Sequence, residues 1–426
     1  MLLSLCKAII EHTCGTFLTR TLCSLALLTA VAQHAEARTA VAPKKAEAKA
    51  KGTPKKEDAA KINAALRKGK ANLANPPSVV LSSPDIIEIA VQDLTEVQTQ
   101  LSHGIGVSWS APQITIENVI VDGVRQPVQL TRVFSVSSRP YIELIQANPP
   151  IGPWAPFNDQ FGERPKSTMT WRIAPNNFVG AISQFNASGA TLIADGSDFL
   201  YYQTVEGVQL QIIRDFLAPD PAAGRPNTPP AGVTDFGPMF HFSVALQPAT
   251  FVPGIDSPED NIPVDDFNLR QVISAATSGG ITWDINTPIT TQIPYRIAGS
   301  PTPALLGNPS EVYSCNPGPY LNVYEVYPNI SPFGASASST TFSQAWIPAG
   351  SGLDPVGAAK MSNAEAQLIT AGYQMVASLN AQDLGLTPYS VNLLSYFYGV
   401  NNHEVLLVNA PFGNTICTGS CPNCTQ

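Results

Sequence analysis

The side chains of this 426-residue chain best able to do chemistry unaided are its seven cysteines and five histidines. Cys421-Pro422-Asn423-Cys424 has C-x-x-C spacing. It sits in a Gly/Thr/Pro tail with no following helix to lower a thiol pKa, so a disulfide staple is the better reading than a redox dithiol. With an N-terminal export signal removed, Cys315, Cys417, Cys421 and Cys424 remain, enough for two disulfides in any of three pairings. A zinc site would need all four thiolates. His403-Glu404 follows Asn401-Asn402 and reads as a surface turn. His103 reads as a helix-end residue, where the helix dipole favours a cation. Asp256, Glu259, Asp260, Asp265 and Asp266 crowd together without EF-hand spacing and read as a solvated loop. The chain has no G-x-S-x-G, P-loop, G-x-G-x-x-G or H-E-x-x-H. Hydrolase triads, nucleotide cofactors and zincin chemistry are therefore unsupported, and no cofactor is expected. Asn186, Asn329 and Asn423 head glycosylation sequons, with Pro332 counting against the second.

The elements that must position such residues are β-rich. Only 13% of residues are charged and 38 are proline, which argues against helical bundles and for strands with stiff loops. Residues 1–37 read as a signal peptide: Arg20, an apolar run Leu22–Ala32, then Ala35-Glu36-Ala37 as a cleavage site. The run is too short to span a bilayer. Residues 38–80 read as a flexible Lys/Ala-rich linker, with eleven basic against three acidic groups over 38–72. The remaining 73–426 carry 11 basic and 27 acidic groups, a net of −16. So acidic a body is a poor partner for nucleic acid or anionic membrane. A secreted, extracellular protein with no membrane span is expected.

Internal repeats organise the rest. A strand at Ile86–Val91 precedes a helix with Leu94, Val97 and Leu101 on one face, then three strands with a hairpin turn at Asp122-Gly123. The same β-α-β-β-β order recurs over 168–214, with Phe178, Ile182 and Phe185 on its helix. Pro140–Trp154 aligns without a gap on Pro319–Phe333, and Ile89–Gln92 on Val244–Gln247. A fourth copy over about 341–410 repeats Trp171 as Trp346 and Tyr201-Tyr202 as Tyr396-Phe397-Tyr398. Two homologous domains of two units each are expected, at 81–218 and 219–412, followed by a Cys-containing tail at 413–426.

Ile-Ala-Val-Gln-Asp-Leu from Ile89, Gly-Val-Ser-Trp109, Phe-Ser-Val136, Tyr-Ile-Glu-Leu-Ile-Gln146 and Pro-Trp154 together resemble the vicinal oxygen chelate, or glyoxalase-like, superfamily. The resemblance is good over 84–215 and weaker over 237–410. It implies an α+β fold in which each pair of units curls into a half-open mixed β barrel around a pocket. It also implies a divalent metal on His and Glu side chains, serving isomerases, epimerases, ring-cleaving dioxygenases and drug-binding proteins.

At the positions the family uses for metal, this chain has Ile86, Glu143, Thr170 and Gln211 in the first domain. In the second it has His241, Asn322, Ala345 and Leu406. Each set offers too few ligands for Zn²⁺, Ni²⁺ or Fe²⁺. Glu143, Thr170 and Gln211 are instead expected to meet inside the first barrel. There they either seal it as a hydrogen-bonded cluster or bind a small organic molecule, with Glu143 as a general base if burial raises its pKa. His241 and Asn322 pose the same choice in the second. The expected function is thus a metal-free glyoxalase-like protein, monomer or homodimer, that binds or transforms a small ligand. As an enzyme it would be a lyase or isomerase. The alternatives are a metal-dependent lyase, isomerase or dioxygenase, and a non-catalytic extracellular scaffold with filled barrels.

Overall fold

The computed structural model describes residues 78–136, 139–159, 162–215, 225–246, 265–284, 293–297, 303–306, 310–316, 319–325, 342–386 and 388–413. Residues 1–77, and with them the expected signal peptide, lie outside these. So do Asn329, Asn423, Cys417, Cys421, Cys424, Asp256, Glu259 and Asp260.

The first half runs β1 (Ile86–Ala90), α1 (Leu94–Ile105), β2 (Gln113–Val121), β3 (Val124–Phe134), β4 (Tyr141–Asn148), a 3-10 turn (Gly152–Trp154) and a small hairpin of β5 (Phe157–Asp159) and β6 (Gly162–Arg164). It continues with β7 (Lys166–Ile173), α2 (Phe178–Ala187), β8 (Thr191–Asp195), β9 (Phe199–Gln203) and β10 (Gln209–Arg214). Local chemistry accounts for the boundaries. Asp93 caps α1 by accepting from Glu96 N at 2.9 Å, and Leu94, Val97 and Leu101 form its buried face. Asp122 and Gly123 both have positive φ (51° and 77°), the two-residue turn whose twist suits a hairpin. Gly106 (φ 80°) ends α1 where a Cβ would collide with Asp235 Cα at 2.7 Å.

Eight strands pair in the order β1-β4-β3-β2-β8-β9-β10-β7 and close, β7 running antiparallel to β1. The expectation of a half-open barrel is corrected for this half. The closing seam is short: β2 meets β8 only through Ile120–Asp195 and Val121–Ala194.

The second half has β11 (His241–Leu246), α3 (Asp265–Ala276), β12 (Ile293–Ile297), β13 (Ala304–Leu306), β14 (Ser310–Tyr313) and β15 (Tyr320–Glu325). It ends with β16 (Phe342–Trp346), α4 (Pro355–Thr370), β17 (Gln374–Asn380), β18 (Asn392–Tyr398) and β19 (Glu404–Val408). The sheet order is β13-β12-β17-β18-β19-β16-β11-β15-β14. Written as a ring, this is the order of the first half, with β13 and β14 together standing where β3 stands. The residues between those two strands, 307–309, lie outside the described ones.

The strands' outward faces and the helices build one core shared by both halves. Leu101 and Phe185 belong to the same buried cluster as Leu269, Phe342, Leu368 and Phe397. α1 packs on α4 and α2 on α3, each pair joining the halves. Chain segments near the expected domain limits are held as well, the last two of these bonds joining the halves. Val79 exchanges two hydrogen bonds with the Gln184 amide (3.0 and 3.1 Å), and Leu81 N donates to Thr277 O at 3.1 Å. Phe236, within the span expected for the second domain, donates its N–H to Ile105 O of α1 at 3.2 Å.

Candidate functional site: a buried carboxylate pair in the first barrel

Strand alternation sends Ile86, Glu88 and Ala90 of β1 inward, with Tyr141, Glu143 and Ile145 of β4 and Leu130, Arg132 and Phe134 of β3. The interior is therefore layered. One apolar band holds Ile86, Phe134 and Tyr141. The other holds Ala90, Leu130, Ile145, Trp154, Phe199 and Tyr201 with their neighbours. Between them lie Glu88, Glu143 and Arg132.

Glu88 and Glu143 stand side by side on parallel strands and are only 1% and 2% exposed. The Tyr201 hydroxyl donates to Glu88 Oε2 at 2.6 Å and itself accepts from Trp154 Nε1 at 3.1 Å. Arg132 Nε lies 3.5 Å from Glu143 Oε1, an ion pair of loose geometry. Burial first, and then the neighbouring Glu143 charge, push Glu88 up to about 8, so it is a neutral acid at pH 7. Burial also raises Glu143, against the pull of the Arg132 guanidinium. The band thus sets two carboxyl groups, both raised by burial, beside one cation. Glu88 Oε1, Glu143 Oε1 and Arg132 Nε and Nη2 are buried without a hydrogen bond among the described residues.

The other expected site residues are placed as follows. Thr170 Oγ1 donates to Gln211 Oε1 at 2.7 Å, so these two satisfy each other. The expectation that they satisfy Glu143 within one cluster is corrected: its partner is Arg132. Thr168 and Gln209 make the same pairing one rung along, at 3.0 Å. In the second half, His241 lies opposite Ala345, and Ala345 opposite Leu406. His241 is 2% exposed, burial lowers its pKa to about 3, and neither ring nitrogen has a hydrogen-bond partner among the described residues. Asn322 sits beside Ser243 and donates to the Tyr313 hydroxyl at 3.3 Å. Cys315 is buried, and Asn186 is exposed on α2 with Oδ1 accepting from the Tyr202 hydroxyl at 3.3 Å. His403 is not on the surface. It is buried, its Nδ1 bonds Val400 O at 2.8 Å and its Nε2 the Tyr373 hydroxyl at 2.8 Å, and burial lowers its pKa to about 4.

Two polar groups that the sequence reading missed matter most. Glu88 was absorbed into an apolar strand, although period-two alternation puts it on the same face as Ile86 and Ala90. Arg164, from β6 of the first half, is fully buried within the second half. Its Nη1 donates to Glu404 Oε1 at 2.9 Å and its guanidinium lies 4.7 Å from the Tyr398 ring centroid. Ser343 Oγ donates to the other Glu404 oxygen.

The residues present do not fit a divalent metal at the family positions. Glu143 is already matched by a guanidinium that would repel a cation, Thr170 and Gln211 are spent on each other, and Ile86 offers no donor. His241 has an amide, a methyl and an isobutyl group at the remaining positions of its set. No group of three or more His, Cys, Asp or Glu suited to a metal occurs among the described residues. None of their helices is long and apolar enough to cross a membrane.

No protein-family model and no curated protein matches the chain. Among solved structures it is similar to a mutant of 4-hydroxymandelate synthase from Streptomyces coelicolor, with 13% identity, 78% of this chain and 94% of that chain covered, and TM-score 0.41. It is also similar to an extradiol ring-cleaving dioxygenase from B. fuscum, at 10% identity, 79% and 73% coverage and TM-score 0.38. A variant of homoprotocatechuate 2,3-dioxygenase from B. fuscum gives 10% identity, the same coverage and TM-score 0.37. At such TM-scores these likenesses carry nothing about activity.

Proposed function

We propose that this chain is an exported glyoxalase-like protein without the family metal site, whose first barrel is a sealed polar core that supports no turnover. One observation carries the reading: Glu88 and Glu143 are 1% and 2% exposed, between Ile86, Phe134 and Tyr141 with the Thr170–Gln211 pair on one side and Trp154, Phe199 and Tyr201 on the other, and only Arg132 beside them keeps part of its side chain exposed. A general base must reach the proton it takes, and a carboxylate walled in this way reaches none from outside. Export rests on the N-terminal pattern, and a disulfide from Cys315 to the tail together with glycosylation at the exposed Asn186 belongs to the same proposal. The test is metal analysis of the purified full chain together with Glu143→Gln. Substoichiometric metal and a variant altered in stability alone are expected. Stoichiometric nickel, zinc or iron, or a wild-type turnover abolished by Glu143→Gln, would overturn the proposal.

A second reading has its own observation. The unpaired Glu88, Glu143 and Arg132 atoms would be satisfied by a small polar guest enclosed in the barrel. Native mass spectrometry separates the two readings. A co-purifying small molecule that is lost in Glu143→Gln supports the guest, and the bare chain mass supports the sealed core.

A further inference from the structure

The Trp154 end of the first barrel carries a cavity of about 420 Å³ outside the sealed interior. Its polar wall is Gln92, Gln129, Thr131, Gln146 and Asn148, and Trp154 lies in its floor. Gln129 faces Asn148, and Thr131 faces Gln146, as direct cross-strand pairs of β3 and β4. Such partners hold their Cβ atoms about 5 Å apart, so four hydrogen-bonding side chains share one patch of sheet. Gln146 Nε2 donates to the Gln92 carbonyl, which orients its amide. Trp154 is buried against Phe199 and Tyr201 in edge-on contact (6.0 and 5.4 Å between centroids) and fixed by its bond to the Tyr201 hydroxyl. Pro150 and Pro156 wall the remaining side. The floor is rigid.

Among the described residues, none that lines this cavity is ionisable. In a body with net charge −16 over residues 73–426, an opening that faces ligand with carboxamides and a hydroxyl alone selects by chemistry. A carboxamide both donates and accepts without charge, which is what an alcohol group also does. A charged ligand would give up hydration here for no counter-charge. The volume falls within the range of small-ligand pockets. We propose that this rim cavity binds a neutral, multiply hydroxylated ligand of the size of a mono- or disaccharide. The gapless internal alignment puts Glu325 and Tyr327 where Gln146 and Asn148 stand, so the repeat replaces two carboxamides with an acid and a phenol.

The proposal does not depend on the barrel interior, since every named wall residue lies at the rim. The test is saturation-transfer NMR on the full chain with glucose, N-acetylglucosamine and maltose, and with glucuronate and glucosamine as charged counterparts. At least one neutral sugar is expected to bind with a Kd of about 1 mM or tighter. Its affinity should drop tenfold or more in Gln129→Ala/Asn148→Ala and in Gln146→Ala. It should be unchanged in Gln374→Ala, an exposed glutamine of β17 in the second half. Charged sugars should bind more weakly. Absence of saturation by all three neutral sugars, equal binding of neutral and charged ones, or insensitivity to the wall substitutions would each overturn it.

Discussion

Corresponding strands of the two halves manage buried charge differently. In the first barrel, Glu88 is flanked in register by Glu143 and Thr168. In the second sheet Ser243 takes the place of Glu88, flanked by Asn322 and Ser343. The first half thus has two acids and supplies its own cation, Arg132. In the second, the buried Glu404 lies beside Ser343, and its cation is Arg164 from the first half's hairpin. A repeat that preserves strand order therefore need not preserve independence. The charge balance inside the second half is completed by a side chain from the first, and the shared core makes the same demand in apolar form.

The comparison breaks most visibly at Arg164. Arg164→Met leaves Glu404 buried without its cation and is expected to lower stability by about 3–5 kcal/mol. Glu404→Gln added to that variant should restore part of the loss. Urea unfolding reads both. A wild-type midpoint in the single variant would mean that the halves stand apart.

Next in size is a pH effect confined to the first half. Glu88 titrates near 8 folded against an ordinary value of 4.5. Between those values the folded state holds the extra proton, so stability falls as pH rises from about 4.5 to about 8 and then levels. Glu88→Gln, whose amide oxygen can still accept from Tyr201, should flatten this slope. It should exceed wild type by a few kcal/mol at pH 8, measured by thermal melts across pH. An unchanged slope would show that Glu88 is ionised and hydrated.

The second half should lean the other way. His241 titrates near 3 and His403 near 4 when folded, both down from 6.5. The unfolded chain then takes up protons that the folded one refuses, and stability is lost as pH falls below 6.5. His241→Phe should remove its share, up to about 2 kcal/mol at pH 5. Acid unfolding midpoints that coincide for the two proteins would contradict the burial of this imidazole.

The smallest expected effect tests the first half's turn. Gly123 has φ 77° with open space around its Cα, so Gly123→Ala costs strain alone, about 1 kcal/mol by chemical denaturation.

Much of the frame was legible because it rests on local pattern. The Asp122-Gly123 turn, the Asp93 cap with its Leu94, Val97 and Leu101 face, and the recurrence of β-α-β-β-β all depend on residues a few positions apart. The family's metal positions Ile86 and Thr170, and likewise His241 and Ala345, stand opposite each other on neighbouring strands. The site was legible only in part. Glu143 was noticed, while Glu88 was hidden in an apolar run and Arg132 in a strand of mixed composition. His403 looked like a turn residue because its burial comes from Tyr373 and a neighbouring backbone carbonyl.

What the sequence by itself determined, then, is the recurring β-α-β-β-β order, since it follows from side-chain periodicity and turn chemistry. Closure of the first ring, the pooling of helices from both halves into one core, the pairing of Glu143 with Arg132 and the reach of Arg164 to Glu404 were decided by the tertiary structure. Arg164 and Glu404 lie 240 positions apart. The energy of such a pair depends on distance and on the water excluded around it, and no local pattern in the chain encodes either.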